Sequence, residues 1–80
     1  MNISQAVVKR IEGLSRERNM TINALSNVSG VTQSTVNDIV SGTTYNAGIV
    51  TIKKLCDGLG ISVQDFFNCD LFTNLEQEIK

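Results

Sequence analysis

The stretch TINALSNVSGVTQSTVNDIVSG, residues 21–42, constrains the fold more than any other part of this 80-residue chain. Thr21 is placed to cap a short helix that ends at Gly30, and Thr32 to cap a second helix that ends at the last glycine. Gly30 supplies a positive φ that side chains resist, and Val31 then fills the corner. Two helices joined this tightly cross at a steep angle, which is the spacing of a helix-turn-helix.

Apolar residues at helical spacing predict further helices on both sides of this unit. The predicted helices cover residues 3–18, ended by Asn19; residues 50–59, ended by Gly60; a short helix capped by Ser62 with Asp65; and residues 70–79. The residues predicted to face inward are Ile3, Val7, Ile11, Leu14, Ile22, Leu25, Val36, Ile39, Ile52, Leu55, Cys56, Leu59 and Phe66. Strand signals are weak, so we expect an all-α domain over residues 1–69 with a short C-terminal helical extension over residues 70–80.

The residue inventory argues against an enzyme. The chain has no histidine, and Cys56 and Cys69 are too few and too far apart for a disulfide framework or a zinc site. There is no Gly-rich phosphate loop and no nucleophile beside a credible base. We therefore expect no catalytic residue, no metal and no cofactor. The N-terminus lacks signal-peptide character and no apolar run could span a membrane, so the expected location is cytoplasmic.

Charge is distributed unevenly along the chain. The formal net charge is −1, but residues 1–54 carry six basic and three acidic side chains, whereas residues 55–80 carry one basic and five acidic side chains. Only the first part, with net charge +3, favours a polyanion such as nucleic acid.

Residues 21–42 resemble the helix-turn-helix of the lambdoid phage repressor and Cro-type (Xre-like) family. The stretch NAGIVTIKKLCDGLGISVQDFF that follows resembles the fourth and fifth helices of the same family, and with the first helix the match covers about residues 3–68. The resemblance implies a compact five-helix repressor-like domain that places its third helix in the major groove of double-stranded DNA.

Carried over by position, the residues implied to contact bases are Gln33, Ser34, Asn37 and Asp38, with Thr35 also near the DNA. Their chemistry suits that role. Gln and Asn amides pair bidentately with adenine, Ser bonds several base edges, and Asp accepts from the amino group of cytosine.

The chain departs from the common family pattern at several positions. Ile22 replaces a frequent Gln, Ser15 replaces an Arg late in the first helix, and Ala47 replaces a Pro. No Lys or Arg lies between Arg18 and Lys53. Phosphate contacts are therefore expected from neutral donors, which are Thr21, Asn23, Ser41, Thr43, Thr44, Tyr45 and Asn46 together with backbone amides.

Two functions follow from these observations. The first is a sequence-specific transcriptional regulator, a repressor that binds a palindromic operator as a dimer. The alternative is a protein-interaction module of the same fold with weak or no DNA binding, whose partner is a toxin or an antirepressor protein; the missing basic residues motivate it.

The segment DLFTNLEQEIK, residues 70–80, is the candidate dimer interface. Its predicted apolar stripe consists of Leu71, Leu75 and Ile79, widened by Phe72. A second copy could pack on this stripe across a two-fold axis, or the stripe could fold back on its own domain; both outcomes are open from the sequence.

Overall fold

The structure, a computed structural model, describes residues 1–42 and 47–79. Within these residues the secondary structure is entirely helical, as predicted. The helices are α1 (Ile3–Glu17), α2 (Ile22–Ser29), α3 (Gln33–Val40), α4 (Ile49–Leu59) and α5 (Val63–Phe67), followed by a 3-10 turn at Asp70–Phe72. None of the described helices is both long enough and apolar enough to cross a lipid bilayer.

Side-chain caps start most of these helices. The hydroxyl oxygens of Thr21, Thr32 and Ser62 each accept a hydrogen bond from the backbone N–H three residues later, as the sequence predicts. The cap of α1 was not predicted. Asn2 accepts from the N–H of Gln5, and the Gln5 side chain bonds back to the Asn2 N–H, which makes a reciprocal capping box.

Left-handed residues end the helices where the sequence places them. Gly30 closes α2 with φ 70°, and Asn19 follows α1 with φ 53°. Asparagine tolerates this conformation better than most residues because its short side chain bonds locally. Because the chain leaves the helical conformation at these two residues, α1, α2 and α3 are separate helices that can pack at different angles.

The core lies where α2 and α3 meet α1, α4 and α5. Its buried apolar side chains are Ala6, Val7, Ile11, Leu14, Leu25, Val31, Val36, Ile39, Ile52, Leu55, Cys56, Leu59 and Phe66. The prediction that Ile3 faces inward is wrong, since this side chain is 40% exposed in the first turn of α1. Ile22 is only partly buried and packs on the edge of the core.

The C-terminal helix predicted over residues 70–79 forms only as the short turn Asp70–Phe72, and residues 75–79 have no regular secondary structure. Phe72 packs edge-on against Phe67, with ring centroids 4.9 Å apart, which holds this turn against α5. The backbone N–H of Glu76 then donates to the carbonyl of Met1, so the tail follows the start of α1 instead of coiling.

The four residues predicted to form a C-terminal dimer interface consequently differ in their burial. Phe72 packs on the core of its own domain, and Leu71 and Leu75 are partly buried. Ile79 is 88% exposed. A continuous apolar stripe on a C-terminal helix does not form.

Candidate nucleic-acid interface

A buried hydrogen bond fixes the corner between α2 and α3. The Ser26 hydroxyl, itself buried, donates to the carbonyl of Val31 at 2.6 Å. Val31 is buried beneath this corner, in the place that the sequence predicts. Because the carbonyl is tied back to α2, α3 leaves the corner in one direction. Sequence reasoning missed Ser26, although a serine amid the apolar positions of α2 was the available signal.

The outward face of α3 gathers four of the predicted base-contact residues. The side chains of Gln33, Ser34, Asn37 and Asp38 are all exposed. On the opposite face, Val36 and Ile39 are buried in the core, so this orientation of α3 is set by packing. The outward side chains are therefore held on a rigid element without filling any core position.

Thr35 differs from these four residues. Its side chain is partly buried, and its hydroxyl lies 2.8 Å from the hydroxyl of Thr32. The same Thr32 oxygen accepts from the Thr35 N–H at 3.2 Å. Thr35 thus belongs to the cap that begins α3, at the edge of the outward face.

The predicted backbone contacts are only partly described. Thr21 and Asn23 are exposed at the start of α2, where the Thr21 oxygen caps the N–H of Ala24 at 3.1 Å. Ser41 follows α3, and its hydroxyl donates to the carbonyl of Asp38 at 3.3 Å. The remaining candidates, Thr43, Thr44, Tyr45 and Asn46, lie outside the described residues.

Two of the arginines in the basic part of the chain bind backbone carbonyls. Arg10 donates through Nε to the carbonyl of Phe66 at 2.8 Å and through Nη2 to that of Asp65 at 2.9 Å. Arg18 donates through Nε to the carbonyl of Leu59 at 2.9 Å. These carbonyls end α5 and α4, where a cation is favoured by the helix dipole. Both guanidinium groups therefore stabilise the fold.

Few basic side chains remain that could contact phosphate groups. Lys53 contacts Asp57 one turn later on α4. Among the described residues this leaves Lys9, Arg16 and Lys54 without an ion pair or a helix-end carbonyl.

Lys9 and Arg16 flank the helix-turn-helix, which sequence reasoning did not anticipate. Lys9 lines a shallow groove between α1 and the end of α3, together with Ser41 and Gly42. Arg16 lines the neighbouring groove, beside Ile22 and Val40. The seven-residue spacing between the two cations puts them on one face of α1, two turns apart, and this spacing was the available signal. Glu12 lies between them on the same face, so the local excess of positive charge is small.

Comparison with known proteins agrees with this geometry. The family model for the Cro/C1-type HTH DNA-binding domain matches residues 10–70. The solved structure described as the crystal structure of the prophage Lp1 protein 11 superposes with a TM-score of 0.79 at 36% sequence identity. That match covers 94% of this chain and 100% of the prophage protein. No curated protein matches the chain.

Proposed function

The chain belongs to the Cro/C1-type helix-turn-helix DNA-binding family, and on that premise we propose that it is a sequence-specific transcriptional regulator. The outward face of α3 supports this proposal most directly. Four exposed side chains, three of them uncharged hydrogen-bonding groups, stand on a helix whose other face is locked into the core. We expect α3 to enter the major groove and to contact base edges through Gln33, Ser34, Asn37 and Asp38.

Thr35 takes a smaller part in this proposal. Its hydroxyl is occupied by the cap with Thr32, so its contribution is to fix the first turn of α3 where Gln33 and Ser34 stand. Its methyl group remains suitable for an apolar contact with a thymine methyl.

In this proposal most of the side chains that bind phosphate groups are uncharged. Thr21 and Asn23 at the start of α2 offer polar side chains beside a helix N-terminus, where a phosphate is favoured. Lys9 and Arg16 add charge from α1, next to the end of α3. Ser41, Thr43, Thr44, Tyr45 and Asn46 complete the proposed set of backbone contacts.

We propose further that the regulator is a repressor acting on a palindromic operator as a homodimer. One eight-residue α3 contacts only a few base pairs, whereas a two-fold pair contacts two half-sites about one helical turn apart. The prophage origin of the similar structure supports a phage-like regulator. We propose the cytoplasm as its location, since a regulator of this kind acts where the DNA is.

The shortage of available cations favours a second candidate. A protein-interaction module of the same fold, binding a toxin or an antirepressor protein, needs no phosphate contacts. The two arginines that hold helix ends and the acidic second part of the chain are the observations that support it.

Selection of bound duplexes from a random pool at low salt separates the two candidates. A regulator enriches one motif, and its half-site spacing reports whether two copies bind. Parallel selection with Gln33→Ala should lose the preference at one position of each half-site. Failure of the parent chain to enrich any motif would favour the protein-interaction module.

A further inference from the structure

Ser26 is buried in α2, close to the point where the chain turns from α2 into α3. In the part of the chain that the structure describes, no other Ser or Thr and no Asn, Gln or charged residue is buried, and Ser26 is only 9% exposed. A buried hydroxyl group is costly unless it has a hydrogen-bond partner. The partner of Ser26 lies across the corner, since its hydroxyl donates to the carbonyl of Val31 at 2.6 Å. The one buried polar side chain thus links α2 to the entry of α3.

This hydrogen bond fixes the peptide group that leads into α3. The Val31 carbonyl and the Thr32 N–H belong to the same planar peptide unit, so holding one fixes the direction of the other. Thr32 is the N-cap of α3, and its hydroxyl oxygen accepts from the Thr35 N–H at 3.2 Å. Ser26 therefore holds the cap residue, and through it the first turn of α3, in one orientation.

Core packing holds the middle and the end of α3. Val36 and Ile39 are buried, with exposed fractions of 1% and 3%. Asn37 and Asp38 lie between these two residues along the helix, so apolar packing fixes their positions. We expect any base contacts that Asn37 and Asp38 make to be insensitive to changes at the corner.

The first turn of α3 has no such anchor, because none of the residues 32–35 is buried. Gln33 and Ser34 in this turn are oriented by the cap and by the bond between Ser26 and Val31. Without the Ser26 hydroxyl, the Val31 carbonyl would be buried without a partner, and the cost of that state favours movement of the corner. Hydrogen bonds weaken steeply with misalignment, so a small shift of this turn affects the contacts of its side chains.

We propose that Ser26 is a positioning residue for DNA specificity, which aligns Gln33 and Ser34 with the bases without touching DNA itself. Its removal relaxes the base preference at the pairs that these two residues contact, and spares the preference at the pairs contacted by Asn37 and Asp38. The effect on base preference rests on the proposed DNA-binding function, whereas the hold of Ser26 on the first turn of α3 is measured on the free protein.

Ser26→Ala tests the proposal, and Ser29→Ala is the matched control. Ser29 is a serine of the same helix whose hydroxyl donates at the same distance of 2.6 Å, but to the carbonyl of Leu25 inside α2. Removing the Ser29 hydroxyl therefore leaves the corner intact. Ile52→Val removes one methylene group from the buried side of α4 and controls for a general loss of stability. Circular dichroism at low temperature checks that each variant is folded.

Fluorescence anisotropy with single-base variants of the selected operator measures the preference at each base pair. Gln33→Ala and Asn37→Ala identify the pairs that depend on the first turn and on the later part of α3. We expect Ser26→Ala to reduce discrimination at the Gln33 pair at least about fivefold, the lower end of what one bidentate base contact provides. Discrimination at the Asn37 pair should stay within about twofold, and Ser29→Ala and Ile52→Val should leave both pairs within the same limit.

Amide hydrogen exchange of the free protein tests the hold on the first turn without DNA. The Val36 N–H donates to the Thr32 carbonyl at 3.1 Å and closes this turn. We expect Ser26→Ala to raise the exchange rate of Val36, relative to that of Leu55 in α4, at least about tenfold. Ser29→Ala should leave this ratio of rates within about twofold of the parent value.

Two results on DNA would overturn the proposal and leave the DNA-binding function standing. They are a base-preference profile of Ser26→Ala that matches that of Ser29→Ala, and a uniform loss at all base pairs that Ile52→Val reproduces. If the parent chain enriches no DNA motif, the proposed function is contradicted and the exchange ratio decides the role of Ser26. A raised ratio in Ser26→Ala then supports its hold on the first turn of α3, and an unchanged ratio overturns it.

Discussion

Gly58 of α4 lies so close to Ser29 of α2 that a Cβ on Gly58 would stand 2.9 Å from both the Cα and the Cβ of Ser29. Real Cβ atoms do not approach backbone this closely, so α2 and α4 touch at a point that only glycine permits. α2 carries the corner that orients α3. The contact therefore helps to set the position of α3.

Gly58→Ala should lower the free energy of unfolding by about 1–3 kcal/mol, because the helices must separate to admit the methyl group. The cost of separating the helices exceeds the gain of about 1 kcal/mol that alanine brings over glycine through its higher helix propensity. Gly13→Ala is the matched control, since a Cβ there meets nothing within 4 Å and should stabilise α1. Urea unfolding followed by circular dichroism measures both variants. Stabilisation by Gly58→Ala would show that α2 and α4 separate easily.

Gln33→Ala should cost about 1–3 kcal/mol of binding free energy on the preferred operator and relax specificity at one base pair. The Gln33 side chain is exposed at the start of α3, so the folded state should be unaffected. Gln64→Ala, which changes another exposed amide on α5, serves as the control and should change neither affinity nor specificity. Fluorescence anisotropy with a panel of single-base variants of the operator gives the comparison. Unchanged specificity in Gln33→Ala would remove this residue from the base-contact set.

Arg10→Ala should lower mainly the stability of the fold, whereas Arg16→Ala should weaken mainly DNA binding. Arg10→Ala removes two charged hydrogen bonds to the end of α5 and should lower the free energy of unfolding by about 1–3 kcal/mol. Arg10→Lys should restore little, because an ammonium group cannot reproduce the two-pronged contact. Arg16→Ala should leave stability within about 0.5 kcal/mol and weaken binding to all DNA sequences alike. Normal stability in Arg10→Ala would contradict its assignment as a structural residue.

The salt dependence of DNA binding should be shallow. Lys9, Arg16 and Lys54 are the cations in the described residues that remain for phosphate contacts. A dimer then offers six, which at about 0.9 per neutralised phosphate limits the slope of log K against log salt to about −5. Titrations at several potassium chloride concentrations measure the slope. A slope as steep as about −8 would contradict this count of available cations among the described residues. It would point to phosphate contacts from Arg10, Arg18 or Lys53, which the structure places on carbonyls and on Asp57.

Cys56 should resist thiol reagents in the folded protein. Burial raises the pKa of the Cys56 thiol, and the neighbouring Asp57 carboxylate acts in the same direction, so little reactive thiolate forms at neutral pH. Mass spectrometry after maleimide labelling should show Cys69, which is only partly buried, modified before Cys56. The folded state binds the Cys56 thiol proton more tightly than the unfolded state does. The protonated thiol therefore contributes fully to the free energy of unfolding below the ordinary thiol pKa, and this contribution is lost as pH rises through the raised pKa. Equal labelling rates for the two thiols would contradict this assignment.

Local chemistry explains what the sequence predicted well. The caps at Thr21 and Thr32 and the terminators Asn19 and Gly30 each depend on neighbours within a few residues, so they are visible without the fold. The outward face of α3 was likewise predictable, since Val36 and Ile39 fix which side is buried.

What sequence reasoning missed depends on contacts between distant residues. The sequence counts Arg10 and Arg18 as positive charges, but their partners lie 56 and 41 residues away and are backbone atoms, which no side-chain pattern reports. At the C-terminus, the spacing of Leu71 and Leu75 suggested a helix. Packing of Phe72 on α5 and pairing of Glu76 with Met1 oppose that helix, and neither contact has a local signature.

The contact between Arg10 and the end of α5 has a consequence for synthesis of the chain on the ribosome. The carbonyls that receive this guanidinium, and the fully buried ring of Phe66, belong to residues translated long after α1. Until α5 has left the exit tunnel, α1 has no completed surface to pack against, and α2 and α3 emerge before their core is closed. The nascent chain therefore cannot hold α3 in its final orientation early; the outward face of α3 gains its full support only after α5 has been released.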